Sequence, residues 1–496
     1  MSAGARSGAY IRRLALGAIV VALVSAACAR TDETSDATGA ESEPPVVDYV
    51  GAMSLEPSSG PAGTVVTVTG EGLPAGSQFD LTWGSFEGRW LIQGGAGEEY
   101  HGREYVPTSE ALLRVTTDGV GRFTATFTVP EDFGFAHDVR IVDGEGVIRN
   151  QALFSVDIGV TVTPESGPPG TPITIVVTGL GSESLEGNRQ ILYDNAYTGW
   201  LSAVTTKGRA TAVIPATGEP GPHLIQVMRG AFTFPYLNPQ QSPRPDIPVF
   251  EAVFTITDDE AILPPPIAEQ NPAAISRSDD MGSEVEPFIT TDFERGPVGT
   301  PLLLTGSGFS AGAEVAITWY RIVGNRVAGQ GWEERGIDFG SAVAGADGRF
   351  ELRAEVPGDV GGAHRIEAAV DGALVATTTF VVTPAAEPLE VGSGPFGTPI
   401  DIHLTGVGWT ETANIYTIVY DNTYIGYACG FNSQGDVLVH LKATGEPGWH
   451  FIDLYPAIYK GKESGVQTFR IPQLTYAEDH PGEDLPAFHF AFYVEG

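Results

Sequence analysis

Short runs of alternating apolar and polar side chains, broken by glycine and proline, recur along most of this chain. The clearest are VVTVTGEGL (65–73), PITIVVTGLG (172–181), PLLLTGSGF (301–309) and PIDIHLTGVGW (399–409). A period of two places one side of each run in a core and the other in water. The β-branched residues suit a pleated backbone, so each run predicts a half-buried strand that ends in a glycine turn. No long segment carries apolar residues at helical spacing, and the chain reads as all-β.

Each run follows one motif: Ser59-Gly-Pro-Ala-Gly-Thr64, Ser166-Gly-Pro-Pro-Gly-Thr171, Arg295-Gly-Pro-Val-Gly-Thr300 and Ser393-Gly-Pro-Phe-Gly-Thr398. The copies lie roughly 100 to 130 residues apart, the size of one β-sandwich. Two unit types alternate. Units at 51–157 and 287–383 share FDLTW or VAITWY, then DGVGRF or DGRF, then Gly134-Phe-Ala-His137 or Gly362-Ala-His364. Units at 158–257 and 384–496 share YDN, ATGEPG (216–221 and 443–448), and a closing DIPVF or DLPAF. The order A-B-A-B points to duplication of a two-unit block. Residues 258–286, rich in proline and acid, read as an extended hinge between two semi-independent halves.

SGPAGTVVTVTGEGL resembles the opening strand and turn of IPT/TIG domains, and the likeness extends to the other three copies. The resemblance implies four tandem immunoglobulin-like β-sandwiches, a fold found in bacterial surface proteins, some carbohydrate-active enzymes and some eukaryotic transcription factors. The fold carries over and no shared activity does.

Charge and the amino terminus place the chain. The 62 acidic against 27 basic residues leave a net charge of −35, which repels nucleic-acid phosphates, so nucleic-acid binding is excluded. Arg6, Arg12 and Arg13 precede an apolar run at 14–24, then Ser25, Ala26 and Ala27 lead to Cys28: a signal peptide over 1–27. The placement of Cys28 resembles the lipobox of bacterial lipoproteins, although Ser25 stands where that family prefers Leu, Val or Ile. The resemblance implies a lipid anchor on Cys28; ordinary cleavage after Ala27 is the alternative. Residues 28–50 then form an acidic tether too poor in apolar side chains to fold.

Candidate chemistry is sparse. No GxSxG elbow, no P-loop, no GxGxxG opening a helix, and no HxH, HExxH or CxxC spacing occurs, so no catalytic site and no metal or other cofactor is expected. His137, His223, His364 and His450 fall at one place in all four units and read as structural corner residues. The aromatic segments Tyr193, Asp194, Asn195, Tyr197, Trp200 and Tyr420, Asp421, Asn422, Tyr424, Tyr427 have two readings: a surface that stacks on sugars or peptides, or hairpins whose Asp-Asn pair makes the turn. The long insertions after FDLTW and VAITWY read as binding loops. Cys429, among apolar and aromatic neighbours, reads as a buried thiol. Together these predict a non-catalytic lipoprotein facing outward from a bacterial cell envelope. It would display immunoglobulin-like modules for adhesion, ligand binding or surface structure, with an extracellular protein or glycan as partner. An accessory scaffold and a carbohydrate-active hydrolase are the alternatives.

Overall fold

The computed structural model describes residues 47–93, 99–183, 185–231, 234–242, 244, 247–277, 287–325, 331–430, 433–459 and 470–496. The signal peptide, Cys28, the tether to residue 46 and linker residues 278–286 lie outside them. Strands dominate throughout, and the one α-helix among the described residues is the single turn Ile267–Gln270.

The repeated motif explains how each stretch of chain closes on itself. In the first, Ala52–Glu56 pairs antiparallel with Val65–Glu71 in a three-stranded sheet. The chain then crosses over, and Ser59–Gly60 runs parallel to the end of Ile148–Val156 in a five-stranded sheet. Ser166–Gly167, Phe293–Pro297 and Ser393–Pro395 make the same parallel contact with the last strand of their own stretches. The motif's threonine then fixes the turn that follows: Thr64, Thr171, Thr300 and Thr398 each donate their hydroxyl to the carbonyl three residues back, at 2.6–2.7 Å. Serine and threonine favour such local side-chain bonds at turns. A chain switching between two sheets in this way gives each stretch two facing layers.

Alternation fills the space between the layers. Val66 and Val68 of the short sheet meet Leu81, Trp83, Val139 and Phe154 of the long one in a single cluster. Equivalent clusters surround Ile175 and Phe254, Trp319 and Phe380, and Tyr416 and Phe492.

Neighbouring stretches are docked rather than strung out. Gly134 N–H donates to Leu180 O at 2.9 Å, and Gly361 N–H donates to Val407 O at 3.1 Å. At both places a side chain would collide with the backbone of the facing glycine, Gly179 or Gly406, so only glycine permits the approach. Val419, Tyr455 and Leu474 from the last stretch join the core of the second.

Several expectations are corrected here. Residues 47–50, assigned to the tether, lie along Ile148–Val156, with Asp48 N–H on Ile148 O and Val50 N–H on Arg149 O. The described part of the linker is no extended hinge. Ile262 N–H bonds Pro169 O, Ile267 is buried in the last core, Asn271 exchanges two hydrogen bonds with Ala386, and Ile275–Ser276 joins a sheet. Its apolar residues find partners on both sides, so it straps the two halves together. The insertions after FDLTW and VAITWY are not loops but paired strands, Gln78–Gln93 with Glu99–Thr116 and Glu314–Asn325 with Gly331–Val343.

The first of those arms reaches a polar joint around Asp479, which is 1% exposed. Its carboxylate accepts from Trp90 Nε1–H at 3.0 Å, Val204 N–H at 2.8 Å, and the N–H and hydroxyl of Thr205, both at 2.9 Å. Truncation to alanine would strand all four donors. Asp479→Ala should therefore destabilise the protein by about 3 kcal/mol, and Asp479→Asn, which keeps one acceptor, by about half that. Urea unfolding followed by tryptophan fluorescence measures both; a loss under about 0.5 kcal/mol would show that the joint is dispensable.

Candidate functional site

The four histidines share one bond. Each Nε2 lies 2.7–2.9 Å from the carbonyl oxygen four residues earlier: Phe133 for His137, Glu219 for His223, Val360 for His364 and Glu446 for His450. The other nitrogen ties that corner to a neighbouring strand. In His137 and His364 it meets the carbonyls of Gly84 and Tyr320, and the rings stack on Trp83 and Trp319. Those indoles donate to buried Asp132 and Asp359.

In His223 and His450, Nδ1 meets a carboxylate instead, Asp194 at 2.6 Å and Asp421 at 2.5 Å, and the rings stack on Tyr193 and Tyr420. The tyrosine hydroxyls donate to Thr217 O and Thr444 O at 2.9 Å, so histidine and tyrosine together hold each ATGEPG loop. Asp194-Asn195 and Asp421-Asn422 have positive φ (49° and 67°, 45° and 58°) and make the two-residue turns of the hairpins. The spare oxygen of each aspartate accepts a backbone N–H, from Leu224 or Phe451.

The two hairpins are alike in construction and opposite in surroundings. In Ala196–Ser202 the outer edge is met at its centre: Trp200 N–H donates to Pro472 O at 2.8 Å and Leu474 N–H to Trp200 O at 2.9 Å, an isolated parallel bridge between Trp200 and Gln473. Thr198 Oγ1 donates to Asn422 O, while Asn422 Nδ2 donates to Pro215 O and Thr217 Oγ1. Tyr193, Trp200 and Asn422 are thus buried, and Tyr197 packs edge-on against Tyr424. As a ligand surface this half of the proposed set is corrected: the aromatics that were to stack on sugars pack against the chain's own last stretch.

Thr423–Cys429 pairs on one side only, with Ile415–Tyr420, and among the described residues no strand covers its outer edge. Ile425 and Tyr427 are 50% and 44% exposed. Cys429 is exposed too, where a buried thiol was expected, because it shares the outward phase of this strand with Ile425 and Tyr427. Arg470 donates to the Tyr427 hydroxyl at 3.1 Å and lies over the Tyr427 and Tyr459 rings. Beside the strand runs an open groove of about 620 Å³ bounded by Tyr420, Asp421, Ile425, His440 and Lys442. The sequence offered no signal for which hairpin stays open, because both are written in the same residues.

Among the described residues no group of three or more His, Cys, Asp or Glu side chains is placed to hold a metal ion, and no helix is long and apolar enough to cross a membrane.

No protein-family model and no curated protein matches the chain. Solved structures that are similar include a Salmonella alpha-2-macroglobulin variant at 10% identity, over 90% of this chain and 31% of that one, TM-score 0.18. The Yersinia pseudotuberculosis adhesin InvE is similar at 16% identity over 46% and 58% of the two chains, TM-score 0.16. A Bacteroides vulgatus beta-glycosidase is similar at 11% identity over 45% and 24%, TM-score 0.14. The chain spans about a third of the length of the alpha-2-macroglobulin. At these scores the likenesses assign no activity.

The His450 corner has a pH signature. Burial lowers the imidazole's proton affinity, but the Asp421 carboxylate and the Glu446 carbonyl outweigh it and hold the group above its ordinary 6.5. A raised folded value adds stability that is fully present below about pH 6.5 and disappears as pH climbs through the folded value. The melting-temperature gap between wild type and His450→Gln should be widest near pH 6 and close toward pH 9. Comparing the two proteins removes the similar contributions of His403 and His489, which their own carboxylates also raise. A gap that stays constant or widens with pH would refute the ion pair.

Proposed function

We propose that this chain is a non-catalytic, lipid-anchored protein of a bacterial cell envelope, built of four tandem IPT/TIG-like sandwiches in A-B-A-B order. It faces outward and captures a partner protein at the Thr423–Cys429 edge. One observation carries this reading: the matching strand Ala196–Ser202 accepts a short segment, residues 472–474, along the edge that no strand among the described residues covers in Thr423–Cys429. A strand edge recognises an extended polypeptide through its main chain, with side chains supplying specificity. Ile425 and Tyr427 stand where Thr198 meets the Asn422 carbonyl and Trp200 meets the segment that covers the first edge, and they offer the apolar contacts. The acidic tether and Cys28 would carry this body away from the membrane surface.

Selection of a random peptide library on the full chain tests the capture site. Binders should be extended peptides that lose at least about tenfold in affinity with Ile425→Asp, a change at an exposed position that leaves the fold intact. Binding indifferent to Ile425 and Tyr427 would sink the reading, and binding confined to sugars on a glycan array, lost in the same variant, would replace the partner by a glycan.

Anchoring is tested separately. Cys28→Ser should move the protein from the membrane fraction to the medium; unchanged membrane association would eliminate the lipid anchor.

A further inference from the structure

Between the linker strap and the two stretches that it joins lies a cavity of about 360 Å³, within the range of about 300–1,000 Å³ typical of small-molecule sites. Val213, Ile214, Pro264, Pro265, Phe451 and Phe490 give it apolar walls. The strap is pinned on both sides of the cavity. Ile262 N–H bonds Pro169 O at 2.8 Å, while Gln270 donates to His489 O at 2.9 Å and accepts from His489 N–H at 2.7 Å. Pro264 and Pro265, lacking N–H groups, roof it without a backbone donor to satisfy.

The polar part of the wall is Asp453 and His489, cross-strand neighbours on Gly448–Ala457 and Phe488–Glu495. His489 Nδ1–H donates to Asp453 Oδ1 at 2.7 Å. Asp453 is 2% exposed, and its Oδ2 has no hydrogen-bond partner. Two residues along the same face, the hydroxyl of Tyr455 is buried and equally unpartnered, with its ring edge-on to His489. A buried carboxylate oxygen and a buried hydroxyl without partners require a source of hydrogen bonds. The lining includes no lysine or arginine. In the second stretch the place of Asp453 is taken by Gln226, and that copy carries no such pair.

We infer that this cavity is a binding site for a small apolar molecule bearing an amine, its hydrocarbon body against the prolines and phenylalanines and its N–H groups on Asp453. The site is distinct from the Thr423–Cys429 edge and does not depend on what that edge captures.

Calorimetric titration of the full chain with benzylamine, benzyl alcohol and benzoate tests the inference at about pH 8, where such an amine remains protonated. Benzylamine should bind saturably and at least about tenfold more tightly than benzoate. Asp453→Asn should abolish the preference for the amine over the alcohol. Val213→Trp, at a half-exposed strand position facing the cavity, should abolish binding of both. Because that second variant leaves Asp453 in place, the inference stays testable even if Asp453→Asn fails to fold. Absence of saturable benzylamine binding would mean that ordered water alone meets Asp453 and Tyr455. Benzoate binding as well as benzylamine, or binding untouched by Val213→Trp, would likewise overturn the assignment.

Discussion

A single buried carboxylate, Asp479, sets the arrangement on which the rest depends. Its two oxygens gather donors from the first stretch (Trp90) and the second (Val204 and Thr205), although it belongs to the last. An ionised group in so dry a place is tolerated only when its lone pairs are met. Here they are met by groups that lie far apart in the chain, so burial of the charge and assembly of the three stretches are one event. With Asp479 seated, Gln473 reaches the Ser202 hydroxyl and residues 472–474 lie along Trp200. The second hairpin then becomes interior, while among the described residues no strand covers the edge of the last one.

Much of the local structure is legible in the residues. The alternation in VVTVTGEGL becomes a strand with Val66 and Val68 inward, and Ser-Gly-Pro-x-Gly-Thr becomes a sheet switch with its own threonine lock. The Asp-Asn pairs are the hairpin turns that the second reading of those segments expected. These features depend on bonds within a few residues, or on the alternation of side chains in a strand, and a single sequence records both.

What was not legible depends on partners distant in sequence. AEDHPGEDL, around Asp479, has the composition of a solvated acidic loop, and nothing nearby announces Trp90 nearly four hundred residues away. ILPPPIAEQ reads as a spacer by composition, yet Ile262, Ile267 and Gln270 each find a specific seat. The chain neighbours of Cys429 suggest burial, but strand phase decides exposure. The aromatic segments show the same limit, since Tyr197 and Tyr424 face each other, which neither segment reveals on its own.

On the proposed A-B-A-B arrangement, the unequal fate of the two hairpins has a simple origin. If one block's hairpin takes up the other block's tail, the contact joins two different surfaces, and a chain with two blocks must finish with one of each unmatched. The hairpin left over is Thr423–Cys429, with Ile425 and Tyr427 outward. The tail left over follows the His223 strand, where Phe234 and Leu237 are 55% and 71% exposed. Exposed apolar side chains cost little when scattered. Here they fall on the two surfaces whose duplicates are buried against each other within the same molecule. On that proposed arrangement, the Thr423–Cys429 edge, which no strand among the described residues covers, would be the unmatched copy of an interface that the chain already makes once.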